Sequence, residues 1–284
     1  MIDKDTQFCI SLASKPSNFG TTLHNAAYAA LGINFVYKAF EISDLTGAIT
    51  GVRALNIRGC SVSMPFKEAV LPLLDNLDET AQLIGAVNTI VNDEGRLTGY
   101  NTDAFGARKV LEYLQAKPSD SVLVLGAGGA ARAILFALRK IGFRKVRVCN
   151  RDVKKIQYLD SIMSCEIVPW EERHNMQVDI LINATSVGMV PNDHQSPVDA
   201  SILSHARAVM DVVVSPMDSY LIKLSRAMGK DVAPGYLMSL EQLTEQFRLY
   251  TNIMPPRALV EQSMKNMIDS EISNERNNTT SNYK

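Results

Sequence analysis

An apolar run, a glycine-rich turn and a helix-forming segment follow one another without interruption near the middle of this 284-residue chain. Val122–Leu125 has the pattern of a fully buried strand, Gly126-Ala127-Gly128-Gly129-Ala130-Ala131 forms the turn, and Arg132–Ile141 has helical spacing. A strand that passes directly into a helix in this way begins a βαβ unit. The feature therefore predicts an α/β fold with a parallel sheet in this part of the chain.

The turn is a variant of the dinucleotide-binding fingerprint. Gly126 permits a tight turn, and Gly128 removes the side chain that would block a pyrophosphate. The helix N-terminus that follows would present unpaired N–H groups and a partial positive charge to this anion, which makes Gly126–Ala130 the predicted phosphate-binding residues. Ala131 stands where the usual motif has a third glycine. A purely structural turn remains the alternative, because any βα connection can use glycine.

The residues after the next predicted strand bear on which dinucleotide is bound. Asn150 and Arg151 lie there, and Lys154 and Lys155 follow about one helical turn later. An NAD site usually has an acid in this region, roughly 20 residues past the glycines, whereas several cations suit the 2′-phosphate of NADP. Asp152 is the opposing signal, because its carboxylate can accept from a ribose 2′-hydroxyl. We expect NADP, with NAD open as a secondary cofactor and a solvated helix start as the alternative.

Composition excludes several other kinds of partner. The formal net charge of −1 gives no electrostatic reason to expect nucleic acid or an anionic membrane, and no apolar run approaches the roughly 20 residues of a membrane span. The start MIDKDTQF has acids where a signal peptide carries basic residues, so we expect a cytoplasmic location. The histidines are scattered and the cysteines have no metal-type spacing, so we expect no metal and small buried thiols at Cys9, Cys60, Cys149 and Cys165.

Strand-like and helix-like segments alternate along the rest of the chain. The other predicted strands are Phe8–Leu12, Phe35–Ile42, Gly59–Met64, Val87–Val91, Val146–Cys149, Ile180–Asn183 and Val209–Val214. The other predicted helices are Thr22–Leu31, Ser43–Leu55, Lys67–Leu74, Asp103–Gln115, Leu221–Met228, Leu237–Tyr250 and a last one from Pro255 to about Ile268. Asp93-Glu94-Gly95-Arg96 resembles a tight turn between two strands.

This pattern predicts two α/β domains. Residues 1–102 form the first, to which residues 238–270 are expected to return, and residues 103–237 form the second, the nucleotide-binding type. Residues 271–284 lack core-forming side chains and are expected to be a disordered tail.

Six segments resemble the shikimate and quinate dehydrogenase family in the same order and spacing. They are SVSMPFK ending at Lys67, GAVNT around Asn88, NTDAFG around Asp103, the glycine-rich turn, NATSVGM from 183, and GYLM from 235 followed by Gln242. The resemblance runs from about residue 8 to residue 270. It implies an N-terminal substrate domain with a mainly parallel sheet, a Rossmann-type NADP-binding domain, and a cleft between them.

The resemblance also implies roles for individual residues. In that family the Lys and the Asp at the positions of Lys67 and Asp103 act on the substrate hydroxyl that is oxidised. Alcohol oxidation is compatible with this pair, since a proton must be removed as hydride leaves for the nicotinamide. The family positions that bind the other substrate hydroxyls correspond to Ser63, Asn88 and Gln242. The family positions near the cofactor correspond to Thr185, Ser186 and Gly235.

One segment departs from the family pattern. The family has a Ser-x-Ser-Pro stretch that holds the substrate carboxylate, and Asn18-Phe19-Gly20-Thr21 replaces it here, while Val214 replaces an assisting Tyr. Each lost hydrogen bond to a charged oxygen is worth about 1.5–3 kcal/mol. Two or three such losses predict that the affinity or rate for shikimate falls by about 10²- to 10⁶-fold. The amide of Asn18, or Thr21 and Thr22, offers partial replacement of the missing hydroxyls.

The sequence leaves two classes of function open. The first is an NADP-dependent dehydrogenase that interconverts a secondary alcohol and a ketone on a shikimate-like cyclic hydroxy acid or polyol. The second is an NADP-binding sensor or regulatory protein with residual dehydrogenase activity. The catalytic pair and Asn88 favour the enzyme, because a sensor needs none of them. In either case we expect a small-molecule ligand and a monomer or homodimer.

Overall fold

Two compact α/β units make up the chain, whose computed structural model describes residues 2–159 and 164–266. The first unit contains the described residues up to Ala81, then Gly85–Tyr100, then those from Leu243 on. The second contains Gln82–Ile84 and Asn101–Gln242. The predicted fold class of two α/β parts, one of them a parallel nucleotide-binding type, is confirmed.

The first unit is built on a mixed sheet of six strands. In chain order they are β1 (Gln7–Ala13), β2 (Phe35–Glu41), β3 (Gly59–Val62), β4 (Asn76–Leu77), β5 (Thr89–Asp93) and β6 (Arg96–Tyr100). Their spatial order is β2-β1-β3-β5-β6-β4, and only the β3–β5 and β5–β6 pairings are antiparallel. The predicted turn between β5 and β6 is confirmed, because Glu94 (φ 53°) and Gly95 (φ 89°) have the left-handed conformation of a type I′ hairpin.

Successive strand residues point to opposite sides of this sheet, and helices cover both faces. Helix α2 (Leu45–Ala54) packs its Ile49 and Val52 with Ile10, Leu12 and Val62. On the other face, helix α1 (Phe19–Ala30) packs with the end of the helix Gly235–Thr251, which supplies Phe247 and Tyr250. Gly59 makes this second contact possible, since a Cβ there would lie 2.3 Å from the Tyr250 ring.

The prediction of a helix over Lys67–Leu74 is wrong. Turns occupy residues 64–70, and only a short 3-10 helix follows at Leu71–Leu73. The carbonyl of Lys67 accepts from the Val87 N–H (2.8 Å) in the segment before β5, and Pro72 has no N–H for a helical bond. The short helix α3 (Glu79–Ile84) and strand β4 were not predicted, because two to six residues carry little periodicity.

The second unit has a six-stranded sheet in which all pairings are parallel. Its strands are β7 (Val122–Leu125), β8 (Val146–Cys149), β9 (Glu166–Val168), β10 (Ile180–Asn183), β11 (Ala208–Asp211) and β12 (Asp231–Ala233). The order β12-β11-β10-β7-β8-β9 means that the chain winds outwards in both directions from β7 and β10. Open α/β sheets bind their ligands at such a switch point, outside the carboxyl ends of the strands.

Six α-helices begin among the described residues of this part of the chain. They are α4 (Thr102–Tyr113), α5 (Gly129–Ile141), α6 (Val153–Leu159), α7 (Ala200–Leu203), α8 (Tyr220–Ala227) and α9 (Gly235–Thr251). Residues 257–266 are also helical, while the predicted end at Ile268 and the tail 271–284 lie outside the described residues. Within the described residues, no helix is both long and apolar enough to cross a membrane.

Candidate functional site

Loops at one edge of the second sheet carry the residues predicted to bind a cofactor. Leu125 at the end of β7 lies opposite Cys149 of β8 and Asn183 of β10, and Asn183 lies opposite Asp211 of β11. The loops that leave these ends therefore start side by side, next to the switch point. They hold Gly126–Ala130, Asn150 and Arg151, Thr185 and Ser186, while Gly235 follows β12 at the same edge.

The glycine-rich turn fits a pyrophosphate. Gly126 has φ 112°, and a Cβ there would lie 2.7 Å from the carbonyl oxygen of Ala184, so both its conformation and its contact require glycine. Gly128 is exposed, and a Cβ there would meet nothing within 4 Å, which leaves open space in front of its backbone. Helix α5 begins at Gly129, three residues before the predicted start at Arg132, and no side chain caps it. The N–H groups of its first turn can therefore serve an anion.

The cations after β8 face solvent. Arg151, Lys154 and Lys155 are exposed and follow the carboxyl end of β8. Asp152 is engaged locally: its Oδ1 accepts from the Lys154 N–H (3.1 Å), and its carbonyl accepts from the Asn150 side chain (2.9 Å). Asp152, which is the argument against NADP in the sequence, therefore accepts a hydrogen bond at the start of α6.

The buried carboxylate of Asp211 lies at the end of β11, next to the loops that carry the predicted cofactor residues. The Asp211 carboxylate accepts from the Ser219 hydroxyl (2.6 Å), the Asn183 side chain (3.0 Å) and the Val213 N–H (3.0 Å). In turn, Asn183 Oδ1 accepts from the hydroxyl of Thr185 (2.7 Å) and from its N–H (3.1 Å). Burial raises the pKa of Asp211 to about 6, although the hydrogen bond from Ser219 opposes this.

The Asp211 network (Asn183, Thr185, Asp211 and Ser219) connects the loop after β10, the loop after β11 and the start of α8. Gly235 packs directly on this structure, because a Cβ there would lie 2.3 Å from the Val213 carbonyl oxygen. Sequence reasoning missed Asp211 and Asn183. Each is a polar residue at the end of an otherwise apolar strand, in AVMD and ILIN, and Asn183 also begins the NATSVGM segment.

In the first unit, the backbone gathers three of the predicted substrate residues. The Lys67 carbonyl accepts from Val87, the residue before Asn88, and the Asn88 carbonyl accepts from Val62, the residue before Ser63 (both 2.8 Å). Asn88 is 3% exposed, while Lys67 and Ser63 are half-buried. Lys67, Ser63 and Asn88 therefore lie close together around the ends of β3 and β5.

The segment that replaces the serine motif is the start of helix α1. Helix α1 begins at Phe19, and its N-cap Asn18 makes no side-chain capping bond. Gly20 lies in the first turn against Tyr37, since a Cβ at Gly20 would be 3.3 Å from the Tyr37 hydroxyl oxygen. The predicted start at Thr22 is therefore three residues too late.

Asp103 and Gln242 belong to the second unit. The Asn101 side chain caps α4 by accepting from the Ala104 N–H (3.3 Å), so Asp103 is not the cap and lies in the first turn, 2% exposed. Gln242 is half-buried on α9, which packs closely on α4: a Cβ at Gly106 would lie 3.0 Å from Gln242 Cγ.

The fold and the cofactor loops define an α/β protein of the dinucleotide-binding dehydrogenase class. Comparison with known proteins gives the family. Residues 18–90 match the family described as the shikimate dehydrogenase substrate binding domain, and residues 107–228 match the shikimate / quinate 5-dehydrogenase family. The chain belongs to the shikimate dehydrogenase family and is an oxidoreductase.

Individual relatives cover nearly the whole chain. A shikimate dehydrogenase-like protein of Haemophilus influenzae is 43% identical over 92% of this chain and 96% of its own. The shikimate dehydrogenase (NADP(+)) of Pyrococcus furiosus is 42% identical over 81% of this chain and 84% of its own. The solved structure of the Thermus thermophilus shikimate 5-dehydrogenase, in complex with NADP(H) and shikimate, has a TM-score of 0.82 and 33% identity, and the match covers 92% of this chain and 99% of that one.

Proposed function

We propose that this protein is an NADP-dependent dehydrogenase that interconverts a secondary alcohol and a ketone on a shikimate-like cyclic hydroxy acid or polyol. The observation that carries the proposal is the open glycine cradle at the switch point of the second sheet, in a chain whose relatives are NADP(+) shikimate dehydrogenases. These relatives do not favour the alternative of a sensor or regulatory protein.

NADP is the proposed cofactor. Gly126–Ala130 hold the pyrophosphate on the N-terminus of α5, and the exposed cations Arg151, Lys154 and Lys155 bind the 2′-phosphate. Asn150, Thr185, Ser186 and Gly235 complete the pocket. NADP supplies the hydride acceptor when bound. The local engagement of Asp152 supports NADP over NAD, because this carboxylate already accepts from the start of α6.

Lys67 and Asp103 are the proposed catalytic pair. Hydride leaves the alcohol carbon together with loss of the hydroxyl proton, so a side chain must take or relay that proton. The buried position of Asp103 and the half-buried position of Lys67 suit groups that act away from bulk water. Ser63, Asn88 and Gln242 orient the substrate through its other hydroxyls, because hydroxyl and amide groups can both donate hydrogen bonds to them and accept from them.

The substrate-binding residues Asn18 and Gly20 set the expected selectivity. Neither presents the hydroxyl group that the family uses for the substrate carboxylate, so we expect slow turnover of shikimate. Further proposals are a cytoplasmic location, supported by the burial of Cys9, Cys60 and Cys149 as small thiols, and a monomer or homodimer.

The test is a panel of cyclic hydroxy acids and polyols, shikimate and quinate included, assayed for NADPH formation. Lys67→Ala and Asp103→Ala are each expected to lower kcat/KM at least about 10²-fold, because a proton-transfer group is lost. Titration of each variant with NADP should give an unchanged Kd. Lys117→Ala, which removes an exposed lysine, is the matched control and should leave both quantities unchanged.

Two results would each contradict one part of the proposal. Full turnover in Lys67→Ala would remove the catalytic role of this lysine. Efficient oxidation of shikimate by the wild-type protein would contradict the expected effect of Asn18 and Gly20 while leaving the dehydrogenase assignment intact.

A further inference from the structure

A glutamine side chain is buried behind the proposed substrate residues of the first unit. Gln246 lies four positions after Gln242 in α9 and is 4% exposed. Its Nε2 donates to the hydroxyl oxygens of Thr89 (3.1 Å) and Ser61 (3.4 Å), which face each other across β3 and β5. The helix thus places a polar amide against the sheet, within the surroundings of Phe247 and Tyr250.

A second hydrogen bond connects Thr89 to Asn88. Its hydroxyl group donates to Asn88 Oδ1 (2.8 Å), and this bond is also buried. A hydroxyl has one proton, so a threonine that donates to Asn88 must accept from Gln246. The order of donors is therefore Gln246 Nε2 to Thr89 Oγ1 to Asn88 Oδ1, and this order decides which end of the Asn88 amide is the acceptor.

The contact has a cost that packing alone does not explain. Gln246 Oε1 and both ring nitrogens of neighbouring His24 are among the buried polar atoms without a hydrogen-bond partner within the described residues. An apolar side chain of similar length would fill the same space without this penalty. The amide nitrogen, by contrast, is hydrogen-bonded, to Thr89 and to Ser61.

We propose that Gln246 is a positioning residue for substrate recognition, which acts through Thr89 to hold the Asn88 amide with its oxygen turned to Thr89 and its nitrogen as the donor to a substrate oxygen. The inference rests on the proposed substrate role of Asn88. It also describes the substrate: the oxygen next to Asn88 must accept a hydrogen bond, as a hydroxyl or carbonyl oxygen does.

Kinetics test the relay with two variants and a control. Gln246→Met keeps the length of the side chain and removes the amide, and Thr89→Val keeps the shape and removes the hydroxyl. Each is expected to raise KM for the best substrate of the panel about 10-fold, the effect of one lost hydrogen bond to a positioned group, with the Kd for NADP unchanged. Glu245→Gln, next to Gln246 on α9 but paired with Arg248, is the control and should change neither.

Two combined variants separate positioning from a general loss of stability. The double variant Gln246→Met with Thr89→Val should be no worse than either single variant, because both break the same chain of bonds. In an Asn88→Ala background, Gln246→Met should have no further effect on KM. Additive losses in either combination would overturn the relay.

A measurement without turnover separates the relay from the proposed function. In ¹⁵N-labelled protein, the Asn88 side-chain NH₂ resonances should shift in Gln246→Met and in Thr89→Val, and stay in place in Glu245→Gln. If these shifts occur and no substrate is turned over, the relay stands and the proposed function fails. Unshifted resonances in both folded variants overturn the relay, whatever the activity.

Discussion

Asp211 and His24 are buried titratable side chains whose ionisation the fold disfavours. Burial raises the pKa of Asp211 to about 6 from 3.8. It lowers the pKa of His24 to about 3 from 6.5, although the neighbouring Gln246 side chain opposes this shift. Both groups are therefore neutral over a pH range in which their unfolded forms are charged. Their effects on the pH dependence of stability have opposite signs.

For Asp211 the folded protein binds the extra proton. Between pH 3.8 and about 6 the native state holds more protons than the unfolded state, so its contribution to stability is present at low pH and is lost as pH rises. From pH 4.5 to 7 the loss is on the order of 2 kcal/mol. Asp211→Asn should remove this component, as measured by urea unfolding at several pH values. Parallel curves for the two proteins would refute the assignment.

For His24 the unfolded protein binds the extra proton. Its contribution is complete above pH 6.5 and is lost as pH falls towards 3. His24→Phe retains the stacking on Tyr37, whose ring lies 4.4 Å away. Between pH 7 and pH 5 the wild-type protein should lose about 2 kcal/mol more unfolding free energy than this variant. An equal loss in both proteins would mean that His24 is not the acid-sensitive group.

Among the elements, the glycine-rich turn separates cofactor binding from stability. Gly128 has φ −82° and open space, so Gly128→Ala should change the unfolding free energy of the free protein by under about 1 kcal/mol. The new methyl group would stand where the pyrophosphate approaches, and we expect NADP affinity to fall at least about 10-fold. Isothermal titration and urea unfolding measure the two effects.

Two other glycines provide the comparison. Gly126→Ala should destabilise the free protein by about 1–3 kcal/mol, because alanine at φ 112° is strained and would contact Ala184. Gly51→Ala, in the open middle of α2, should stabilise it by about 0.5–1 kcal/mol and leave NADP binding unchanged. A loss of NADP affinity in Gly51→Ala, or none in Gly128→Ala, would contradict this account of the turn.

The sequence predicts elements with strong periodicity well. It predicts poorly those segments whose conformation depends on tertiary contacts. β7, β8 and β10 were predicted with their observed bounds, because each is a short, mainly apolar run that ends at a glycine-rich or polar loop. The turn around Lys67 was wrongly predicted as a helix, since its decisive bond goes to Val87, far along the chain. The hydrogen bonds of Gln246 and those of the Asp211 network could not be predicted for the same reason, because they join different elements.

At the scale of the whole molecule, NADP should act on one set of loops. All residues proposed for cofactor binding belong to the second unit, so we expect NADP to slow amide exchange in the loops after β7, β8 and β10. The β5–β6 hairpin of the first unit should exchange at the same rate with and without NADP. Hydrogen–deuterium exchange with mass spectrometry measures both, and protection of the hairpin without protection of the glycine-rich turn would refute the assignment.

The burial of the cysteines makes the natural sequence suitable for site-specific labelling. Cys9, Cys60 and Cys149 are buried, and desolvation raises the pKa of Cys9 to about 12 and that of Cys149 to about 11, so these thiols are poor nucleophiles at neutral pH. Cys165 alone among the four is partly accessible, just before β9. A maleimide dye should therefore attach at this one position without any cysteine having to be replaced, and its fluorescence would report on the nucleotide-binding unit of the otherwise unaltered enzyme.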